Sequence, residues 1–286
     1  MLVLTAGTGR VVQAIARELA ALPGPKRFLP AGSARGGSVP GFEVVPGGVA
    51  DAGARGRALE GAHTLVILPT FDPRAADAQA ALARSAAAAG VRRILLGSLV
   101  GADARSPVCL LRWVGLIERE VLASGLPHSI LRATPLMQNL ALFARRYDSG
   151  LAVVGPFRDV GFPWLDAADV GTILARLIEA EAPENLVCQI SGPESVSFEA
   201  VARLLGDAVG EPVRYVDICL PEAQGLLEAY GFSAVQVRAL TEYWDYLVSG
   251  FVKPACCETV AKLLGRPPRS LAQHFAAHAG ELRAAA

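Results

Sequence analysis

Two glycines near the N-terminus have the spacing of a turn that binds phosphate groups. Gly7 and Gly9 follow the apolar segment 2–4 and precede an amphipathic helical pattern. The first amides of a helix have no partner within the helix, and the helix dipole is positive there, so this position binds anions. Thr8 could donate a hydroxyl, and Arg10 could pair with a phosphate. The segment therefore predicts a pyrophosphate site like those of dinucleotide-binding folds.

The glycine pattern of this turn is incomplete. Ala6 and Val12 occupy positions where such turns usually carry glycine, and we expect their side chains to crowd a pyrophosphate. No Asp or Glu lies between Glu18 and Glu43, so the carboxylate that would hold an NAD ribose is missing. We therefore expect no dinucleotide cofactor, or weakly bound NADP(H). The alternative is a retained site that prefers NADP and uses these residues: Gly7, Thr8, Gly9, Arg10 and Arg35.

Four side chains are the catalytic candidates. Ser98 follows a predicted strand and could either hydrogen-bond a substrate oxygen or cap the next loop. Gln138 and Asn139 follow another strand, at the edge where open α/β sheets bind ligands. Their amides could orient a carbonyl without transferring a proton, or could satisfy loop backbone. Trp113 could stack on a flat substrate or pack as an ordinary core tryptophan.

Other titratable residues have simpler explanations. His274 and His278 have the i, i+4 spacing of a metal-binding pair, but the sequence offers no third ligand. We therefore expect no metal. Asp166 and Asp169 are interpreted as helix-capping residues, and Glu118 as the partner of a nearby arginine.

Aromatic residues are concentrated in a short span of the C-terminal part. Such a cluster could form a roof over an apolar substrate, or could be the core of a small lobe. The aromatic residues of this span are Tyr230, Phe232, Tyr243, Trp244, Tyr246 and Phe251. We predict that Met137, Tyr243 and Trp244 contact the substrate.

Strand and helix patterns alternate along most of the chain, which predicts an α/β fold with a parallel sheet. The C-terminal part is predicted to be mostly helical. The predicted strands are 2–4, 27–31, 42–45, 64–68, 93–96, 128–131 and 186–190. We divide the chain into a dinucleotide-binding domain, 1–150, whose sheet the strand 186–190 rejoins, and a smaller substrate-binding lobe, 151–286.

Composition and charge exclude several classes of protein. The net charge is zero and no run of Lys or Arg occurs, which argues against a nucleic-acid partner. Apolar runs are too short to span a membrane. The five cysteines form no C-x-x-C pair and are typical of reduced thiols in a cytoplasmic protein. The oligomeric state is left open.

Several segments together resemble the NmrA-like family of atypical short-chain dehydrogenase/reductases. The resemblance lies in the segments 90–94, 98–102, 123–132, 137–139, 166–170, 190–194 and 265–268, together with Glu118. It implies a doubly wound, Rossmann-type parallel sheet with a smaller, mostly helical C-terminal lobe, and a cleft for nicotinamide and substrate.

The same resemblance sets the expectation for activity. No tyrosine is followed four residues later by the lysine that short-chain dehydrogenases use, and Val114 cannot move a proton. Our main prediction is therefore a non-redox enzyme that cyclises, isomerises or rearranges a hydrophobic, polycyclic or quinone-like molecule by positioning it. One alternative is an NADPH-dependent oxidoreductase of a quinone or enone. The other is a non-catalytic sensor of a ligand or nucleotide.

Overall fold

The computed structural model describes residues 1–32, 37–180, 185–250 and 257–285. The described strands are β1 (Leu2–Ala6), β2 (Lys26–Pro30), β3 (Glu43–Val44), β4 (Thr64–Ile67), β5 (Arg93–Leu99), β6 (His128–Ala133), β7 (Ala144–Tyr147), β8 (Gly150–Gly155), β9 (Gly161–Phe162), β10 (Leu186–Ile190), β11 (Val196–Ser197) and β12 (Val213–Asp217). The described helices are α1 (Arg10–Ala20), α2 (Ala52–Leu59), α3 (Pro73–Ala86), α4 (Cys109–Ala123), α5 (Ala167–Glu179), α6 (Phe198–Val209), α7 (Leu220–Ala229), α8 (Ala234–Val248), α9 (Cys257–Leu264) and α10 (Leu271–Ala285), with a 3-10 helix at Met137–Leu142.

The chain forms two compact units. The first comprises residues 1–133 and 168–189, and the second comprises residues 134–167 and 190–286. The chain therefore passes between the units three times, whereas the division drawn from the sequence placed the main boundary at residue 150 and returned only the strand 186–190 to the first domain.

The first unit is built on a seven-stranded sheet with the order β10-β6-β5-β4-β1-β2-β3. The pairings from β6 to β3 are parallel; in β1, for example, Leu2 lies opposite Lys26 on one side and Thr64 on the other. All four residues of β4 are buried, as expected for a central parallel strand. The predicted Rossmann-type α/β fold is confirmed.

Helices cover this sheet with apolar faces that the sequence spacing predicted. Val12, Ile15, Ala16 and Leu19 recur at helical spacing in α1, and all four are buried. On α3 the buried face is mostly alanine, and this small side chain lets α3 and α4 pack closely. Such packing fixes the ends of the strands, where ligands of this fold class bind.

The described part of the second unit has two small sheets that the sequence pattern did not predict. Strand β8 pairs with β7 in antiparallel and with β12 in parallel orientation, and β9 pairs with β11. Its core is aromatic: Phe157 stacks on Phe198 with ring centroids 4.1 Å apart, and Phe143 meets both rings edge-on. Edge-to-face and stacked aromatic pairs stabilise beyond their buried area, by about 0.5–1.5 kcal/mol each.

In the part of the chain that the structure describes, no helix has the length and apolar character needed to cross a membrane.

Candidate functional site

The turn between β1 and α1 presents an open helix N-terminus. Gly9 is the N-cap of α1, with extended backbone angles (φ −71°, ψ 173°), and the first turn of the helix contains no acidic residue. A Cβ built on Gly9 would meet no atom of the described residues within 4 Å. Thr8, Gly9 and Arg10 are exposed, and Gly7 is half-buried. The backbone of this turn can therefore be approached closely by an anionic ligand.

Ala6 and Val12 lie in the core rather than at the surface of this turn. Ala6 is fully buried at the end of β1, and Val12 is 9% exposed on the inner face of α1. The expectation that these side chains fill the space of a pyrophosphate is therefore wrong. The sequence shows that a larger side chain replaces glycine at each position, but only the structure shows that this side chain is buried.

The chain beyond β2 lies against the same turn. The Gln13 Nε2 atom donates to the backbone carbonyl of Ser38 at 3.2 Å. A side chain at Gly37 would overlap the Thr8 methyl group. Arg35, the predicted partner of a cofactor phosphate, lies outside the described residues.

Ser98 belongs to a buried polar network in the first unit. Its hydroxyl donates to the carboxylate of Glu118, and the two residues are 2% and 4% exposed. Arg132 holds the same carboxylate with two hydrogen bonds, Nε to Oε1 at 3.0 Å and Nη2 to Oε2 at 2.6 Å. Hydrogen bonding to Glu118 raises the pKa of Arg132. Because the Ser98 proton is used internally, the free lone pairs of Ser98 can only accept a hydrogen bond from a ligand.

Trp113 lies half-buried on α4 and packs against the apolar core of the first unit. The structure therefore gives this side chain a packing contact, and its predicted stacking on a substrate remains a prediction.

Gln138 and Asn139 lie in the 3-10 helix of the second unit and differ in their contacts. Gln138 donates from Nε2 to Asp166 Oδ1 at 2.8 Å and accepts at Oε1 from the backbone N–H of Ala167 at 2.9 Å. Both ends of its amide are thus engaged. The half-buried amide of Asn139 forms no side-chain hydrogen bond to any residue that the structure describes. Of the two, Asn139 is the amide available to a ligand.

A buried histidine–aspartate pair lies next to Gln138. His274 Nδ1 is 3.0 Å from Asp166 Oδ2, and the two residues are 5% and 1% exposed. Arg269 Nη1 is 4.0 Å from the other carboxylate oxygen. His274 and Asp166 are 108 residues apart, and no pattern in the sequence indicates that they meet. Among the described residues, no group of three or more His, Cys, Asp or Glu side chains could hold a metal ion.

The predicted substrate contacts in the second unit are largely internal. Met137 is 1% exposed, and Trp244 is 7% exposed and packs against Phe143 and Phe157. Tyr243 is 8% exposed and stacks on Tyr246, and burial raises the pKa of Tyr243 well above its usual value. Phe251 lies outside the described residues. These aromatic side chains form the core of the unit. In a substrate role they would act indirectly, by supporting the residues that contact the substrate.

Residues 4–252 match the NmrA-like family, which is nearly the whole chain. This chain belongs to the NmrA-like family. It is 28% identical to an NAD(P)H azoreductase of Xenophilus azovorans over 100% of both chains. It is also 28% identical to (4-alkanoyl-5-oxo-2,5-dihydrofuran-3-yl)methyl phosphate reductase of Streptomyces griseus, over 98% of both chains.

The fold of this NmrA-like protein is shared with a solved structure. An NADPH-dependent quinone oxidoreductase of Escherichia coli, complexed with NADPH, matches with a TM-score of 0.78 at 21% identity. The match covers 97% of this chain and 99% of that one.

These similarities overturn two predictions made from the sequence. The prediction of non-redox cyclisation, isomerisation or rearrangement is wrong, because both full-length relatives are reductases. The prediction of no cofactor, or of weakly bound NADP(H), is also wrong, because the relative that matches the whole chain is an NAD(P)H azoreductase. The error came from the assumed crowding by Ala6 and Val12, which the burial of both side chains removes.

Proposed function

We propose that this protein is an NADPH-dependent oxidoreductase that reduces a flat, hydrophobic, conjugated small molecule of the quinone or azo type. The observation that carries the proposal is the full-length similarity to an NAD(P)H azoreductase, combined with an open glycine turn at the start of α1. It is the first of the two alternatives that the sequence leaves open.

The β1–α1 turn fits the pyrophosphate of a dinucleotide. Gly7 and Gly9 would allow the ligand to approach the backbone, and the first amides of α1 would donate hydrogen bonds to it. The exposed guanidinium of Arg10 would add a charge-assisted hydrogen bond. The absence of acidic residues between Glu18 and Glu43 favours NADPH over NADH, since no carboxylate there would repel a ribose phosphate.

When bound, NADPH supplies a hydride, and the residues of this chain bind and orient what receives it. We assign the substrate-orienting hydrogen bond to Asn139, whose amide is not engaged by the described residues. Gln138 is then a positioning residue that fixes the 3-10 helix to Asp166 and Ala167. Ser98 accepts a hydrogen bond from a ligand N–H or O–H, because Glu118 takes its proton. Trp113 would stack on the flat part of the substrate.

Direct titration tests this function. Purified protein is titrated with NADPH, NADP and NADH while the fluorescence of its three tryptophans is recorded, and NADPH oxidation is then followed with a naphthoquinone and an azo dye. We expect NADPH to bind at least tenfold more tightly than NADH, and its oxidation to depend on the acceptor. Saturable nucleotide binding without turnover of either acceptor would favour a sensor instead. If none of the three nucleotides binds, the proposal is wrong.

A further inference from the structure

Gln79 is a fully buried polar residue on a helix whose neighbouring residues are mostly alanine. It is 0% exposed, and it lies on the face of α3 that packs against the sheet. Glutamine is seldom buried completely, because its amide needs up to four hydrogen bonds. Its position therefore requires a physical explanation beyond helix packing.

The Gln79 amide joins the carboxyl ends of two adjacent strands. Its Nε2 atom donates to the backbone carbonyl of Leu68 at 3.0 Å and to that of Thr5 at 3.4 Å. Thr5 lies in β1, Leu68 follows β4, and the N–H of Leu68 also donates to the Thr5 carbonyl at 2.9 Å. Because Thr5 is two residues before Gly7, this contact lies directly beneath the proposed cofactor turn.

Unpaired polar atoms surround the same contact. In the part of the chain that the structure describes, three buried side-chain polar atoms have no hydrogen-bond partner: Thr5 Oγ1, Thr70 Oγ1 and Gln79 Oε1. Thr70 adjoins the turn, since a Cβ on Gly7 would lie 3.6 Å from its methyl group. Each unpaired buried group has given up its hydrogen bonds to water without replacement, whereas an apolar side chain of the same shape would avoid that loss. Folding stability alone therefore does not account for Gln79.

We propose that Gln79 is a positioning residue for the cofactor turn. By holding the Thr5 and Leu68 carbonyls together, it fixes the backbone from which Gly7, Thr8 and Gly9 continue. A turn that is already ordered binds its ligand more tightly, because a larger fraction of the protein molecules is in the binding-competent conformation before the ligand arrives. The inference rests on the proposed function in one respect only, namely that the ligand of this turn is NADPH.

The test compares Gln79→Met with a control on the same helix. Methionine has nearly the same length and volume but cannot donate to the two carbonyls. We expect the Kd for NADPH to rise about tenfold and kcat at saturating NADPH to stay within about twofold, with the KM for the acceptor unchanged. The control Leu82→Val trims a fully buried α3 residue, so it should lower the melting temperature and leave the NADPH Kd unchanged. An unaltered Kd in Gln79→Met would overturn the inference.

A second measurement needs no cofactor. Amide hydrogen exchange of the ligand-free chain is followed by mass spectrometry in peptides covering residues 4–12 and, for comparison, α5. We expect Gln79→Met to speed exchange several-fold in residues 4–12 and not in α5. If the wild-type protein fails to bind NADPH, the proposed function is lost, but this exchange result still decides the role of Gln79. If Gln79→Met does not fold, Gln79→Asn replaces it, because the shorter asparagine amide cannot reach both carbonyls. The same changes are expected for Gln79→Asn. Equal exchange in the wild-type protein and the variant refutes the proposal.

Discussion

The polar residues that meet inside each unit determine which side chains can act on a ligand. Glu118 shows this directly, because one buried carboxylate accepts from Ser98 and from two nitrogens of Arg132. A bidentate arginine–carboxylate pair has a fixed geometry, so the Ser98 oxygen is fixed with it. Removing the charge from Glu118 should therefore affect both the stability of the fold and the orientation of Ser98.

Glu118→Gln should lower the free energy of unfolding by about 2 kcal/mol. Breaking a fully buried ion pair costs about 3–5 kcal/mol, and the value is smaller here because the Arg132 side chain is 32% exposed. Urea denaturation measures the difference. The matched control is Glu120→Gln on the same helix, whose partners Arg84 and Arg119 are more than half exposed. That change should cost less than about 1 kcal/mol, and equal losses in the two variants would contradict the argument.

Val12→Gly should reduce stability without improving cofactor binding. The change removes a buried side chain and adds the helix penalty of glycine, together about 3 kcal/mol. Val11→Gly is the control, because Val11 is only half-buried. Its substitution should lower the free energy of unfolding by at least about 1 kcal/mol less than Val12→Gly does. Unfolding in urea and NADPH titration measure the two effects. A marked gain in NADPH affinity in Val12→Gly would revive the crowding explanation.

The residues of the candidate site were only partly predictable from the sequence. Local spacing identified Gly7 and Gly9, because a turn and the helix that follows it are encoded by adjacent residues. The meeting of His274 with Asp166 depends on contacts across 108 residues, and no local pattern encodes such a contact. Gln79 gave a weak signal, as a lone amide on an alanine-rich helix face, but its role follows only from the strand ends that it contacts.

At the scale of elements, periodicity predicted the first unit well and part of the second unit poorly. Apolar runs such as β4 are buried on both faces, and the amphipathic spacing of α1 identifies its inner face. Strand β7 has no apolar alternation and is partly exposed, and β8 pairs with β12 some sixty residues later. Such strands are defined by their partners rather than by their own sequence, so single-sequence reasoning missed them.

Two helical glycines should respond oppositely to the same substitution. A Cβ on Gly115 of α4 would overlap the backbone of Asp103 and Ala104, whereas a Cβ on Gly56 of α2 would meet no atom within 4 Å among the residues that the structure describes. We therefore expect Gly115→Ala to destabilise by about 2–3 kcal/mol and Gly56→Ala to stabilise by about 0.5–1 kcal/mol. Thermal unfolding measures both. A neutral Gly115→Ala would show that the segment at Asp103 shifts freely, contrary to the close packing of α4.

At the scale of the whole molecule, a ligand that binds only the folded protein increases the free energy of unfolding of the unit that holds it. The proposed turn lies entirely within the first unit, which comprises residues 1–133 and 168–189. A ligand that binds only the folded form at roughly a hundred times its Kd stabilises that form by about 2.7 kcal/mol. For a chain of this size, such a gain corresponds to a rise of about 5 °C in melting temperature.

We expect NADPH to raise the unfolding temperature of the chain by about 5 °C, and NADH to raise it by less than about 3 °C at the same concentration. Calorimetry records the transitions, and hydrogen exchange by peptide assigns each transition to a unit. If the units unfold separately, only the first should shift, because the second contributes no residue to the β1–α1 turn. A shift confined to residues of the second unit would place the nucleotide elsewhere and refute the assignment of the turn. Equal shifts with NADPH and NADH would instead keep the turn as the site and refute the argument that the missing carboxylate selects NADPH.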